Sequence, residues 1–416
     1  MRLRQRGARL VVAAAVSVVA CTAGCGATSA PTPVAAPASC TRPDPGVSSG
    51  TIDVGGIFPQ SGPDGALFDA VDAGIRARFL VQNEEGGIGG RSLALQTADD
   101  GDGEQANLAA AHYLVGRHVF GVIEVSTNGE GSASYLHRSG VPVTGWAITP
   151  SWGRDQNMFG YHYSTPPSPP GRPVTLNAQF AKAHGGDRVA VLAGGAAESV
   201  QFVTGFMATL PALGLHLVYQ NLHERLGQTD FSFDAAAMAR AGVDTLLTGL
   251  APLTNVAVLQ AAKAAGVPLK VVLLPAGYDG RYAAAFASVL EGAYVAIDWR
   301  PFELPVPAHA QFEDALRRVA PDAYPGQLAM VGWLSASTFI RGLQAAGPRC
   351  PLRTAFVTNL RLVRGYTADG LVPPTDFSAL FGKEPLCYWM LQVHLGRFVP
   401  VSDQPLCGKI ASGARS

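Results

Sequence analysis

From Ile52 onward the chain alternates between short apolar stretches rich in β-branched residues and longer stretches with apolar residues at helical spacing. This alternation constrains the fold more than any other feature. Ile52–Phe58 (IDVGGIF) reads as a buried strand, and Leu67–Asn83 places Phe68, Val71, Ile75, Phe79 and Leu80 on one helical face. Strand Ser92–Asp100, helix Glu104–Arg117, strand Val119–Val125, helix Ser132–Gly140 and strand Val141–Ile148 follow. The pattern restarts with strand Arg188–Gly195, helix Val200–Gly214 and strand Leu215–Gln220. It continues through helix Phe231–Gly242, strand Asp244–Leu250, helix Thr254–Gly266 and strand Leu269–Pro275. Strands and helices at this pitch build right-handed βαβ units and a mostly parallel sheet covered by helices. Between the two runs lies Phe159–Pro173, whose prolines forbid a helix. The expectation is an α/β protein of two doubly wound lobes rather than one large sheet.

The N-terminus carries four Arg and no acid in MRLRQRGAR, followed by an apolar run at Leu10–Ala20. That run is too short to span a bilayer, which takes about 20 apolar residues, and the pattern reads as a secretory signal peptide. The absence of an Arg-Arg pair argues against a twin-arginine route. VVAC (Val18–Cys21) and TAGC (Thr22–Cys25) each resemble a bacterial lipobox, with Cys25 the expected lipid attachment site and Cys21 the alternative. A cleaved, freely secreted chain is the competing outcome. Residues 1–24 are thus read as a lipoprotein signal peptide, and 25–50, rich in Ala, Pro, Ser and Thr, as a flexible tether.

Removing the four leader arginines from 31 Lys and Arg leaves 27 against 31 Asp and Glu, and nothing in this balance suggests nucleic acid. Four cysteines follow the leader, and an even count in an exported chain favours disulfides. Cys387 and Cys407 flank an apparent hairpin (CYWMLQVHLGRFVPV), which favours that bridge; Cys40 with Cys350 would follow by elimination, unless both stay free thiols. The wide spacings, with no His beside them, argue against a metal.

Catalytic patterns are missing. Ser132 in GEGSAS misses GxSxG, no GxxxxGK[ST] occurs, and His223-Glu224 is followed by Arg-Leu-Gly instead of completing HExxH. His162 lies between two tyrosines in a connector, where packing or exposure is the natural reading. Asp99-Asp100 reads as a strand end capping the next helix rather than an acid/base pair. No enzyme activity and no cofactor are expected.

The order TIDVGGIFPQSGP, helix, NEEGGIGGRSLALQTADD (Thr51–Asp100) resembles the Leu/Ile/Val-binding family of type I periplasmic binding proteins. QAAKAAGVPLKVV (Gln260–Val272), TDFSFDAAAMARAGVD (Thr229–Asp244) and TADGLVPPTDFS (Thr367–Ser378) extend the resemblance over about Thr51–Gly408. It implies two Rossmann-like lobes joined by three hinge crossings. Lobe I would span 51–160 with 303–348, and lobe II 171–295 with 365–410; the crossings would be 161–170, 296–302 and 349–364. Helices Gln311–Ala320 and Leu334–Gly347 would return to lobe I. Ligands in open α/β sheets sit beyond the carboxyl ends of strands, so the resemblance implies binding by Ser61, Gly62, Ser126, Thr127, Asn128, Trp146, Ala147 and Tyr278. The loops Gly194–Ala197, Leu250–Leu253 and Pro275–Tyr278 would face them. Hydroxyls and loop amides at Ser126–Asn128 would suit a carboxylate, with plain capping of the following helix as the alternative. Trp299 would pack the hinge or line the cleft. The chain departs from the family where Ala197 replaces an expected Tyr, and where only Asp279 could meet an α-ammonium.

The implied function is capture of a small amino acid, amide or carboxylate-like molecule and its delivery to an ABC permease. The protein would be a monomer held to the outer face of the bacterial cytoplasmic membrane by its lipid alone. A ligand-sensing receptor lipoprotein and a degenerate structural envelope lipoprotein are the alternatives.

Overall fold

The computed structural model describes residues 32–34, 42–62, 65–101, 103–162, 173–195, 197–225, 227–383 and 386–411. The expected signal peptide, Cys21, Cys25, Cys40 and most of the expected first crossing lie outside the described residues.

Lobe I begins with β1 (Thr51–Phe58), α1 (Gly65–Glu84), β2 (Ser92–Asp99), α2 (Glu104–Gly116) and β3 (Gly121–Glu124). It continues with α3 (Glu130–Arg138), β4 (Val143–Gly145), α4 (Ser151–Arg154) and β5 (Met158–Gly160). The five strands pair in parallel in the order β2-β1-β3-β4-β5, so that Val54 lies between Leu95 and Gly121. Phe159 and Gly160 were read as the start of the proline-rich connector; with Met158 they form a buried strand that extends the sheet edge against Val143–Gly145. The turn between α1 and β2 is the Gly-rich run, with positive φ at Gly86, Gly87, Gly89 and Gly90, a conformation closed to most side chains.

Lobe II comprises α5 (Leu176–Ala183), β6 (Arg188–Gly194), α6 (Ala197–Thr209), β7 (His216–Glu224), α7 (Ser232–Arg240) and β8 (Thr245–Gly249). Then come α8 (Pro252–Ala264), β9 (Val271–Leu274), α9 (Gly280–Ala285), α10 (Ala287–Leu290) and β10 (Tyr294–Ile297). The chain returns to lobe I through α11 (Pro307–Val319), α12 (Gln327–Ala346) and α13 (Arg353–Arg361). It finishes in lobe II with β11 (Cys387–His394), β12 (Arg397–Pro400) and β13 (Leu406–Cys407). The second sheet runs β12-β11-β10-β9-β8-β6-β7, parallel from β6 to β10 and antiparallel beyond. The hairpin between β11 and β12 closes on Leu395 and Gly396, both at positive φ, as a two-residue type I′ turn requires. Cys387 and Cys407 face each other across β11 and β13 and are disulfide-bonded, and Cys350 is disulfide-bonded as well.

Each sheet is covered on both faces. In lobe I, Ile57, Val122 and Val143 meet Leu114 of α2 and Leu136 of α3, while α1, α12 and α13 cover the other side. In lobe II, Val189, Val191 and Leu247 meet Phe180 and Phe206; Leu246 faces Met238 and Leu259. α12 begins at Gln327, seven residues before the helix expected from Leu334, because its first turns bury Met330, Val331 and Trp333 against α1. The two helices touch through glycines: a methyl on Gly74 would come within 1.9 Å of Ala329 O, and one on Gly332 within 2.4 Å of Val71 O.

Two expected boundaries are corrected. Residues 349–364 were expected to cross between lobes; they contain α13, whose buried Phe356 packs on Phe120, Phe159 and Phe339 of lobe I. After α13 the chain passes through Tyr366–Thr375, whose ends bridge each other. The end of the expected tether is also docked rather than free. Val47 is buried and bridges to Ile52, the Arg91 guanidinium donates to Ser48 O, and Asp44 accepts the Arg353 amide. Val34 is held at both its amide and carbonyl by the side chain of Asn359.

Candidate functional site

In the first sheet β1 has β2 on one side and β3 on the other, so the chain reverses its winding there. The loops after β1 and β3 flank that switch point. They contain Ser61-Gly62 and Ser126–Asn128, which the structure brings to the same end of the sheet. Ser61 and Gly62 are exposed. Ser61 Oγ donates to Asp99 Oδ2, whose other oxygen accepts the Gln60 and Gly101 amides at 2.8 and 3.0 Å. Partial burial opposes ionisation of Asp99, but these bonds hold it below the usual carboxylate range. Asp99 therefore clamps loops. The N-cap position of α2 is Gly103, with no side-chain cap hydrogen bond, so the cap expected of the Asp pair is not made there.

Ser126 is buried, donates its hydroxyl to Asp100 and accepts the Asn128 amide at 2.9 Å. The hydroxyl expected to meet a ligand is thus committed within the protein. Nor does it cap α3, whose N-cap is Gly129. Thr127 and Asn128 are half-buried. Beneath them Glu124 is fully buried, accepting Asn107 Nδ2 at 3.0 Å and Ser132 Oγ at 2.8 Å. Burial, opposed by those two donors and reinforced by Asp100 and Glu130, raises Glu124 to about 7. The Asp100 carboxylate beside Ser126 makes this loop a poor seat for a carboxylate. Trp146 is half-buried against the core and donates its backbone amide to Glu124 O, while Ala147 is buried.

Tyr278 comes from the loop after β9. It is buried among Trp299, Phe302 and Phe398, with ring centroids 5.4, 6.1 and 4.8 Å away. Its hydroxyl donates to Glu303 Oε2 at 2.5 Å and accepts the Phe302 amide at 2.9 Å. Burial and the Glu303 charge push the phenol above its ordinary range. Asp279 caps α9 through the Arg281 and Tyr282 amides and pairs with the Arg281 guanidinium at 2.9 Å, so its carboxylate is occupied. From lobe I, the Tyr324 hydroxyl accepts the Gly280 amide at 3.0 Å, and the Arg281 guanidinium lies 4.1 Å from the Tyr324 ring centre.

Beside these groups lies a partly open cavity of about 170 Å³ lined by Tyr278, Gly280 and Phe398 of lobe II, Glu313 and Tyr324–Gly326 of lobe I, and Phe302-Glu303 after the second crossing. Of the eight predicted binding residues only Tyr278 lines it; the others stay near the switch point of lobe I. Sequence reading missed Phe302, Glu303, Tyr324 and Phe398. The acid-aromatic pair Phe302-Glu303 directly after Trp299 was the available signal. Trp299 itself is fully buried and belongs to a line of rings that runs Tyr278, Trp299, Phe302, Phe312, Trp333 from lobe II into α11 and α12.

The crossings are joined to one another beside this cavity. Tyr161 donates to both oxygens of Asp298, at 3.1 and 3.0 Å, His162 Nδ1 meets Thr375 Oγ1 at 3.0 Å, and the Arg300 amide donates to Leu371 O at 2.7 Å. Burial lowers His162 to about 4, so it is neutral at physiological pH. Among the described residues no group of three His, Cys, Asp or Glu is arranged to hold a metal, and no helix is long and apolar enough to cross a membrane.

A stretch of 78 residues, 19% of this chain, is 35% identical to Leu/Ile/Val-binding protein homolog 3 of Brucella melitensis biotype 1, and spans 21% of that protein's length. Solved structures share the fold over most of the chain. A fatty acid ABC transporter substrate-binding protein from Thermomonospora curvata matches 89% of this chain and 95% of its own, with TM-score 0.73 and 17% identity. A branched-chain amino acid ABC transporter protein from Thermus thermophilus with bound valine matches 86% and 96%, with TM-score 0.73 and 16% identity. An ABC transporter solute-binding protein from R. palustris in complex with benzoate matches 87% and 98%, with TM-score 0.68 and 18% identity. The sequence pattern of the periplasmic binding protein family matches residues 51–397, and with two doubly wound lobes joined by three crossings around an interlobe cavity, the chain belongs to that family.

Proposed function

We propose that this protein is an extracytoplasmic solute-binding lipoprotein. It captures a small polar or amphipathic molecule between its lobes and presents it to an ABC permease. The observation that carries the reading is the cavity whose walls come from both lobes and the second crossing. A molecule bound there touches both lobes at once, so its binding energy favours the closed arrangement. The cavity is below the ~300–1,000 Å³ usual for small-molecule sites, which suits a compact solute. Acylation at Cys25, or at Cys21, would hold the protein at the outer face of the cytoplasmic membrane, since each buried CH₂ contributes about 0.8 kcal/mol.

Native mass spectrometry of leader-free protein purified gently from its host tests the capture of a solute. The expected result is a small-molecule adduct that disappears after denaturation and refolding. No adduct, together with no rise in melting temperature across a broad metabolite panel, would sink the proposal.

A further inference from the structure

We infer that the interlobe cavity selects an organic cation, the ammonium group of a compact aliphatic amine, and that Glu303 is its counter-charge. The inference rests on the capture reading and narrows it to a ligand class. Two carboxylates, Glu303 and Glu313, and four aromatic rings, Tyr278, Phe302, Tyr324 and Phe398, line the space, and among the described residues no Lys, Arg or His lines it. Arg281, next to the lining residue Gly280, is held by Asp279 and by the face of Tyr324, so its charge is already answered.

A carboxylate ligand would need donors or a positive charge here, and the walls offer neither in excess. The Tyr278 hydroxyl, the natural donor, already points at Glu303 Oε2, and the Gly280 amide is spent on Tyr324 OH. An ammonium meets the opposite situation. Ring faces attract cations through their quadrupoles, and Glu303 is an exposed residue whose carboxyl, with proton affinity raised by partial desolvation against the Tyr278 hydrogen bond, borders the cavity. A cation entering the cavity adds a charge partner to the hydrogen bond that the Glu303 carboxylate already accepts from Tyr278. The loop read from sequence as a carboxylate seat, Ser126–Asn128, has its Ser126 hydroxyl spent on the Asp100 carboxylate.

The test holds the hydrocarbon constant and changes only the head group. Isobutylamine, which is ammonium at neutral pH, isobutanol and isobutyrate are titrated calorimetrically into the leader-free protein. Isobutylammonium is expected to bind at least about ten-fold more tightly than isobutyrate, with isobutanol between them. In Glu303→Gln the ammonium should lose about ten-fold in affinity while isobutanol is unchanged. Equal or tighter binding of isobutyrate, no binding of any of the three, or an unaltered ammonium affinity in Glu303→Gln would overturn the inference. The head-group comparison on the unsubstituted protein stands even if that variant does not fold. Capture by the cleft is judged separately by the adduct found on protein from its host: a carboxylate adduct there removes the cation inference and leaves the capture reading intact.

Discussion

Glu124 shows how one residue can carry a pH dependence into the whole protein. Its carboxyl lies wholly out of water at the end of β3 and, with its proton affinity raised by burial, titrates at about 7 in the folded state against 4.5 for an ordinary glutamate. Between those values the folded chain holds a proton that the unfolded chain releases, so this group's contribution to stability falls as pH rises through that window. His162 works the other way: lowered by burial from 6.5 to about 4, it makes stability fall as pH drops through its own window. The two slopes partly cancel in the native protein. Glu124→Gln removes only the first, keeps an acceptor for Asn107 and a neutral side chain, and should stabilise the protein on the alkaline side by on the order of a few kcal/mol. Urea unfolding at several pH values checks this; parallel stability curves for variant and parent would show that Glu124 does not titrate as argued.

At the scale of elements, the contact between α1 and α12 depends on what is missing from two positions. Alanine is the better helix former by about 1 kcal/mol, so Gly74→Ala would be stabilising on propensity alone. The added methyl would meet Ala329 O at 1.9 Å, and forcing packed helices apart costs about 1–3 kcal/mol or more. The expected outcome is a lower melting temperature for Gly74→Ala. Gly116→Ala, at the open end of α2 where nothing lies within 4 Å, should leave it unchanged or raise it. Equal effects at both sites would mean that helix contact does not limit stability. The same reasoning explains why α12 was read too short in the sequence: Gly332 breaks the apolar pattern where close approach, not propensity, selects the residue.

For the molecule as a whole, the lobes meet at the crossings and again where Tyr324 and Arg281 touch. The crossings are bound to each other by Tyr161–Asp298, His162–Thr375 and Arg300–Leu371, which makes them one pivot. The Tyr324 contact is different, since it ties the loop before α12 to the first turn of α9 with one hydrogen bond and one cation–ring contact. Each contributes about 1 kcal/mol, a scale on which a two-state opening equilibrium is readily shifted. Tyr324→Ala should therefore raise the radius of gyration of ligand-free protein in small-angle X-ray scattering, and added ligand should reverse much of the change. An unchanged scattering profile would place the closing energy elsewhere.

The alternation of strand and helix, the restart after the proline-rich stretch and the positive-φ turn after α1 were all legible in the sequence, because each follows from local periodicity or from a backbone only glycine tolerates. So were the terminal hairpin and the pairing position of Cys387 and Cys407, since both lie within one local stretch. The cavity was not legible. Its walls come from residues as distant as Tyr278, Tyr324 and Phe398, none of which has a neighbour in sequence that reveals its partner. The burial of Tyr278 could not be read from sequence because it depends on Trp299, Phe302 and Phe398 closing over it, and Ser126 read as a free donor because only the folded sheet sets Asp100 beside it. Local order is written along the chain; which polar groups are already satisfied, and which charge is left facing a cavity, is decided only when distant segments pack.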